Sequence, residues 1–295
     1  MKQVIDKYSV IVIGAGFAGC SAAIYVGMSR NKDTKDCAII AGDNPGGLIN
    51  TTEIVDNYLG YPGISGYELG TKMVEHAQSY ADLISDYVIE IRAEGDIRVI
   101  ETYHAIYKCK SLIIASGSSP RKLAQIEDAL YCAICDGFLY KNKVTAVIGG
   151  GNSAFEAALY LSGLCTQVYL IHRTNQFRAF TMLQDQVKAK DNIEIITNEE
   201  AVSFHEQVLQ LKQRNLHGVD GVFVCIGHIP NTGFASALKR DDLHHIEVDE
   251  YFESSMKGVF AVGDVVKNDY NQGIIAAGDG AKAALNVVKY LRTLE

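Results

Sequence analysis

The sequence predicts an α/β protein of two parallel-sheet domains, the second inserted into the first, on three observations. A β-branched apolar strand, a glycine turn and a helix-forming run open the chain at residues 8–27. The same strand–turn–helix order returns at residues 144–164, about 135 residues later. No low-complexity segment or charged linker separates the copies, which argues for insertion through short hinges near residues 118–121 and 227–231. The expected division is 1–117 with 228–295 for the first domain and 118–227 for the second.

Hydrophobic periodicity places the elements. Short strands are expected at 8–13, 37–41, 87–93, 96–101 and 111–115. Helical spacing of Leu69, Met73, Val74 and Ala77 predicts a helix from Glu68 to about Asp82. Between them, residues 42–66 are heavy in Gly, Asn and Thr, which is the chemistry of a working loop. In the second copy, 144–148 reads as strand, 155–164 as helix and 168–171 as strand, followed by strands at 193–197, 208–213 and 222–226. The tail holds a strand at 259–262 and an Ala-rich helix over 274–290.

The bulk numbers narrow the function. At 295 residues, 48% hydrophobic and 21% charged, the chain has an ordinary globular mix. A net charge of -8 without any Lys/Arg block argues against nucleic acid and anionic membrane as partners. The first apolar run spans four residues, 10–13, and no later run reaches the roughly 18 that a spanning helix needs. A cytoplasmic protein is therefore expected.

Each glycine turn has a chemical reading. In Gly14-Ala15-Gly16-Phe17-Ala18-Gly19 the first glycine permits a tight turn and the second admits a pyrophosphate. The third lets helix pack on strand, and the helix N-terminus faces the phosphates. Two such units are Rossmann-like and imply two nucleotides. Asp36 and Asp43 flank the next strand, and both are candidates for the ribose or for plain surface carboxylates. The second turn, Gly149-Gly150-Gly151-Asn152-Ser153-Ala154, ends in a small alanine. After its next strand come His172-Arg173-Thr174-Asn175-Gln176-Phe177-Arg178. Arginines in place of an acid suit a 2′-phosphate, hence NADP rather than NAD.

Seven cysteines are present. Cys20, Cys37, Cys109, Cys165 and Cys225 stand singly among apolar neighbours and read as small buried hydrophobes. Cys132 and Cys135 form a C-x-x-C pair, followed by Asp136 and Gly137. Half a zinc site, two incidental core cysteines and a redox pair are the alternatives. Zinc requires two more ligands; there is no second C-x-x-C, and His244-His245 has no cysteine partner nearby in sequence. As a redox pair, one thiolate attacks a partner's disulfide and the other resolves it. Asp136 is placed either to protonate the departing thiolate or simply to shape the turn.

These motifs, in this order and spacing, resemble the bacterial-type low-molecular-weight thioredoxin reductases over nearly the whole chain. Further matching stretches are Gly46-Gly47, Thr51-Thr52-Glu53, Ser116-Gly117-Ser118-Ser119 and the segments 221–232, 258–265 (with Gly263-Asp264) and 276–281. The resemblance implies FAD on the first domain at Gly14, Gly16, Gly19, Gly47, Asn57, Asp264 and Gln272. It implies NADPH on the inserted domain at Gly149, Gly151, Ser153, Arg173 and Arg178. Catalysis is implied at Cys132, Cys135 and Asp136, with Cys135 facing the flavin and Cys132 attacking a thioredoxin disulfide. Electrons would pass from NADPH to FAD to the dithiol and on to thioredoxin, in a homodimer. Three departures stand out: Thr174 and Asn271 where the family usually has arginine, and shortened segments at 121–131 and before Gly221. They keep open NADH and a ferredoxin-linked donor independent of pyridine nucleotide; a ferredoxin/flavodoxin-NADP reductase-like enzyme is a further alternative, and the C-x-x-C pair counts against it. If the arginines bind a 2′-phosphate, Arg173→Ala or Arg178→Ala raises the Michaelis constant for NADPH on the order of tenfold and hardly moves that for NADH. Steady-state kinetics with both nucleotides reads the difference, and equal losses with both would contradict the assignment.

Overall fold

The computed structural model describes residues 2–29, 35–52, 54–268 and 270–294, without the side chain of Cys135. The chain divides into two compact units, Met1–Ser119 with Ile229–Glu295, and Pro120–His228.

The first unit begins with β1 (Gln3–Ile5), β2 (Val10–Ile13), α1 (Phe17–Ser29) and β3 (Cys37–Ala41). There follow α2 (Gly66–Gln78), β4 (Asp82–Ser85), β5 (Val88–Glu94), β6 (Ile97–Thr102), β7 (Ala105–Cys109) and β8 (Ser111–Ile114). The chain leaves through β9 (Ser118–Pro120). The second unit carries α3 (Ala133–Asp136), β10 (Val144–Ile148), α4 (Asn152–Ser162), β11 (Gln167–His172), α5 (Thr181–Lys188) and β12 (Ile193–Thr197). It continues with β13 (Ala201–His205), β14 (Val208–Leu211), β15 (Asn215–His217) and β16 (Gly221–Val224). The chain then returns through β17 (His228–Pro230), paired with β9, and completes the first unit with β18 (Val259–Ala261) and α6 (Gly273–Arg292).

The first unit is built on a five-stranded sheet in the order β18-β8-β2-β3-β4, with every pair parallel. All four residues of β2 are buried, as a parallel strand covered on both faces requires. Alternate side chains serve opposite layers. Val10, Val12, Ile39 and Ile113 pack with α1 and α6. Ile11, Ile13, Ile40 and Leu112 pack with Ile91, Ile100 and Tyr107 of a second sheet, ordered β1-β7-β6-β5.

The helix expected to run to about Asp82 stops at Gln78. Ser65 caps its start by accepting the Glu68 N–H at 3.2 Å. Asp82–Ser85 is instead the edge strand beside β3, with Ala38 opposite Asp82. Tertiary pairing overrides a helical apolar spacing that the last turn could have continued.

In the second unit the parallel order is β12-β11-β10-β16, with a three-stranded β13-β14-β15 sheet. Val147, Val168, Leu170 and Phe223 face α4 and α5, while Ala146, Ile148, Ile171 and Val222 meet Leu209 and Leu211. Leu123, Ile126 and Ala129 of the shortened segment join that second layer. Among the described residues no helix is long and apolar enough to cross a membrane.

Helices α1 and α6 cross at near backbone contact: a Cβ on Gly280 would collide with the Ala18 carbonyl oxygen. Gly280→Ala therefore lowers stability by about 1–3 kcal/mol through forced separation of the helices, read as a shifted urea midpoint. A midpoint equal to the parent's would contradict this packing.

Candidate functional site

The turn after β2 is set by steric necessity. Gly14 has φ +106°, a region that L side chains avoid. A Cβ there would strike the Ala115 carbonyl oxygen, and one on Gly19 would strike the Gly14 carbonyl oxygen. Gly16 is different. A Cβ on it would meet nothing nearer than the Gly46 carbonyl oxygen at 3.8 Å, so protein packing leaves the space above it free. Gly47, at φ +76°, lies opposite: its Cβ would stand 3.3 Å from the Gly16 α-carbon. The first turns of α1 and α6 hold no acidic residue, so an anion meets no like charge there. This is a cradle of the shape and polarity that a dinucleotide pyrophosphate fits.

The other predicted residues of this unit gather at the carboxyl edge of the same sheet, where open α/β sheets bind ligands. Asp264 follows β18 and accepts the Ser118 hydroxyl at 3.0 Å. Asn57 Nδ2 donates to Gln272 Oε1 at 3.0 Å, joining the loop after β3 to the start of α6. Of the two ribose candidates, Asp43 lies after β3 and takes the Tyr87 hydroxyl at 3.0 Å. Asp36 lies before β3, at the opposite edge, and accepts the Ser9 N–H at 2.7 Å. The sequence offered no local signal for Ser118 or Tyr87 as partners of these carboxylates, because both contacts are long-range. Glu53 lies outside the described residues.

In the second unit a Cβ on Gly149 would strike the Cys225 carbonyl oxygen, whereas one on Gly151 would meet nothing within 4 Å. Gly151 precedes α4 with no side chain capping its first turn and no acid within it. Ser153 is exposed in that turn, and Arg173 and Arg178 are exposed after β11. Burial pushes the His172 imidazole below its ordinary value, and the Arg173 and Arg178 charges lower it further against a hydrogen bond with the Gln176 backbone. The Arg178 N–H donates to the Gly150 carbonyl at 2.8 Å, and a Cβ on Gly150 would strike the His172 ring, so this loop folds back onto the glycine turn. The residues present fit a second dinucleotide with its anionic end at α4.

Six cysteine side chains are described. Cys20, Cys37, Cys109, Cys165 and Cys225 are free. Burial pushes the thiols of Cys20, Cys109 and Cys225 up to about 12 and raises those of Cys37 and Cys165. None of these is a thiolate near neutral pH, and the thiolate is the reactive form. Cys132 alone among the six is disulfide-bonded. The Cys135 side chain lies outside the described residues. The segment is anchored by backbone and packing: the Asp136 N–H donates to the Cys132 carbonyl at 3.1 Å. A Cβ on Gly137 would press on Tyr160 and Leu161 of α4, at 2.9 and 3.0 Å. Among the described residues no group of His, Cys, Asp and Glu is arranged to hold a metal ion.

Residues 8–280 match the model of the pyridine nucleotide-disulphide oxidoreductase family. The chain belongs to that family. It is 39% identical to the thioredoxin reductase of Borreliella burgdorferi, over 99% of this chain and 94% of that protein. The crystal structure of Lactococcus lactis thioredoxin reductase superposes with a TM-score of 0.91 at 32% identity, covering 97% of this chain and 100% of that one. The thioredoxin reductase of T. acidophilum gives 0.89 at 31% identity, covering 98% and 99%. This oxidoreductase is accordingly a thioredoxin reductase-like flavoenzyme of α/β fold with two Rossmann-like domains, working with FAD and NADPH.

The two glycines of the first turn separate folding from ligand binding. Gly14→Ala destabilises the flavin-free protein by at least about 2 kcal/mol. Gly16→Ala leaves it within about 0.5 kcal/mol yet loses flavin. Unfolding curves of the stripped protein, with the flavin-to-protein absorbance ratio of the loaded one, test both. Full flavin retention by Gly16→Ala would contradict the cradle.

Proposed function

We propose that this chain is a thioredoxin reductase in which the first unit holds FAD and the inserted unit holds NADPH and the redox dithiol. The observation carrying this reading is Cys132, disulfide-bonded alone among the six described cysteine side chains, which lies along the chain between two nucleotide turns whose middle glycines border free space. Gly14, Gly16, Gly19 and Gly47 admit the FAD pyrophosphate, and Asn57, Asp264 and Gln272 supply polar groups along the same edge. Gly149, Gly151 and Ser153 receive the NADPH pyrophosphate, and Arg173 and Arg178 its 2′-phosphate. FAD and NADPH, when bound, supply the two-electron reduction of the C-x-x-C disulfide.

The remaining chemistry belongs to the chain's own residues. The Cys132 thiolate attacks one sulfur of a thioredoxin disulfide; that bond breaks and a mixed disulfide forms. Asp136 gives a proton to the departing thiolate. The Cys135 thiolate then attacks the Cys132 sulfur, which restores the intramolecular disulfide and frees the second thioredoxin thiol. Two electrons and the two protons of the dithiol pass to the partner, one of those protons relayed through Asp136, and two thiols appear there. The working form is a cytoplasmic homodimer that acts on neither nucleic acid nor membrane. NADPH dependence is favoured over a ferredoxin-linked donor because the arginines after β11 are present and exposed.

Anaerobic titration tests the whole route. NADPH should bleach the visible flavin band, and the reduced protein should then reduce thioredoxin. Cys132→Ser and Cys135→Ser should retain flavin and lose disulfide turnover by at least about a hundredfold. Turnover at the parent rate in both variants would end the dithiol assignment, and a flavin that NADPH leaves oxidised would end the donor assignment.

A further inference from the structure

At the carboxyl edge of the inserted unit, the loops after β11 and β12 leave the sheet side by side. His172 and Thr197 are opposite each other at the strand ends, and the Glu199 N–H donates to the His172 carbonyl at 3.2 Å. On the first loop Arg173 and Arg178 are exposed. Thr174 between them is uncharged, and its hydroxyl turns into its own loop to donate to the Gln176 carbonyl at 3.1 Å.

The second loop brings two carboxylates to this rim. Glu199 is 3% exposed and is satisfied within the unit. It accepts the Gln213 N–H at 3.2 Å and faces Arg214 Nε at 3.6 Å. Glu200 is half exposed, with its carboxylate 2.8 Å from Lys212 Nζ. Lys212 foremost, and Arg173 with it, hold the Glu200 carboxyl below its usual range. Glu200 and Arg173 each follow directly on the Glu199–His172 backbone bond that joins the two loops, so the acid and an arginine assigned to the nucleotide share this rim.

We propose that Glu200 sets selectivity at the adenosine 2′ position, giving this unit a shallow preference for NADPH and allowing it to take NADH as well. The inference rests on the reading of this unit as the pyridine-nucleotide site. A 2′-phosphate held by Arg173 must be accommodated on the same rim as the Glu200 carboxylate, and like charges oppose it. A 2′-hydroxyl adds no charge and donates to a carboxylate, the same recognition by which acids at such positions select NAD. Lys212 moderates the effect by holding Glu200 from the other side.

Calorimetry on the flavin-loaded protein with 2′,5′-ADP and with ADP measures this directly, apart from turnover. The parent should bind 2′,5′-ADP no more than about tenfold tighter than ADP. Glu200→Gln should tighten 2′,5′-ADP about two- to fivefold, the range of a half-exposed charge interaction, and move ADP less. Thr174→Arg should act in the same direction, and Lys212→Gln in the opposite one, because Glu200 then turns to Arg173. Each effect should shrink as salt is raised. Unchanged flavin content and far-ultraviolet dichroism exclude a folding defect. A parent preference of about a hundredfold or more, or a ratio of the two constants that Glu200→Gln leaves unmoved, overturns the proposal while leaving the nucleotide site standing. Failure of the parent to bind either compound overturns the site along with it.

Discussion

At the turn after β2 the Gly14 carbonyl lies directly on Gly19, and the Ala115 carbonyl directly on Gly14, with no room for a side chain at either glycine. That backbone-on-backbone contact brings the start of α1 down onto the carboxyl edge of the sheet. The placement of Gly47, Asp264 and the start of α6 around one cradle depends on it. Gly280 against Ala18 repeats the same device between α1 and α6. The start of each helix carries unpaired N–H groups and no acid in its first turn, a field that suits a phosphate.

The inserted unit uses a looser form of the same design. Its third turn position is Ala154, fully buried, where the first unit can accept only glycine. Gly149 still has to clear the Cys225 carbonyl, so the strand-to-helix turn keeps its tightness at the first position and relaxes it at the last. The redox segment is fastened to this frame through Gly137 against α4 and through Tyr140, whose ring meets Phe223 edge-on at 5.5 Å. The segment carrying Cys132 and the second nucleotide turn thus both pack on α4.

Much of this was legible along the chain. The strands at Cys37–Ala41, Val144–Ile148 and Ile193–Thr197 agree with their apolar runs residue for residue, because each is short, apolar and bounded by turn residues. The four-stranded sheet was only half visible. β5 and β6 read from their patterns, but β1 and β7 did not, since Gln3–Ile5 has two exposed positions and the five residues of Ala105–Cys109 are broken by Lys108. Short strands of this kind are made by their neighbours. α5 was missed because its eight residues bury only two side chains. At the candidate site, motif glycines and the cysteine pair were found by spacing, while the long-range contacts of Ser118 with Asp264 and of Tyr87 with Asp43, and the place of Glu200, had no local signal.

Local chemistry written in consecutive residues was determined by the sequence alone: two glycine turns between strand and helix, a C-x-x-C with its aspartate, and arginines after a strand. Each works within one loop, so spacing suffices to define it. Only the tertiary structure decided which glycines are demanded by packing and which border free space, which of Asp36 and Asp43 lies at the ligand edge, and which acid shares a rim with Arg173. Those outcomes depend on parallel strand order and on side chains many residues apart. A linear pattern carries periodicity, but the distance between two strand ends is set by the sheet that joins them.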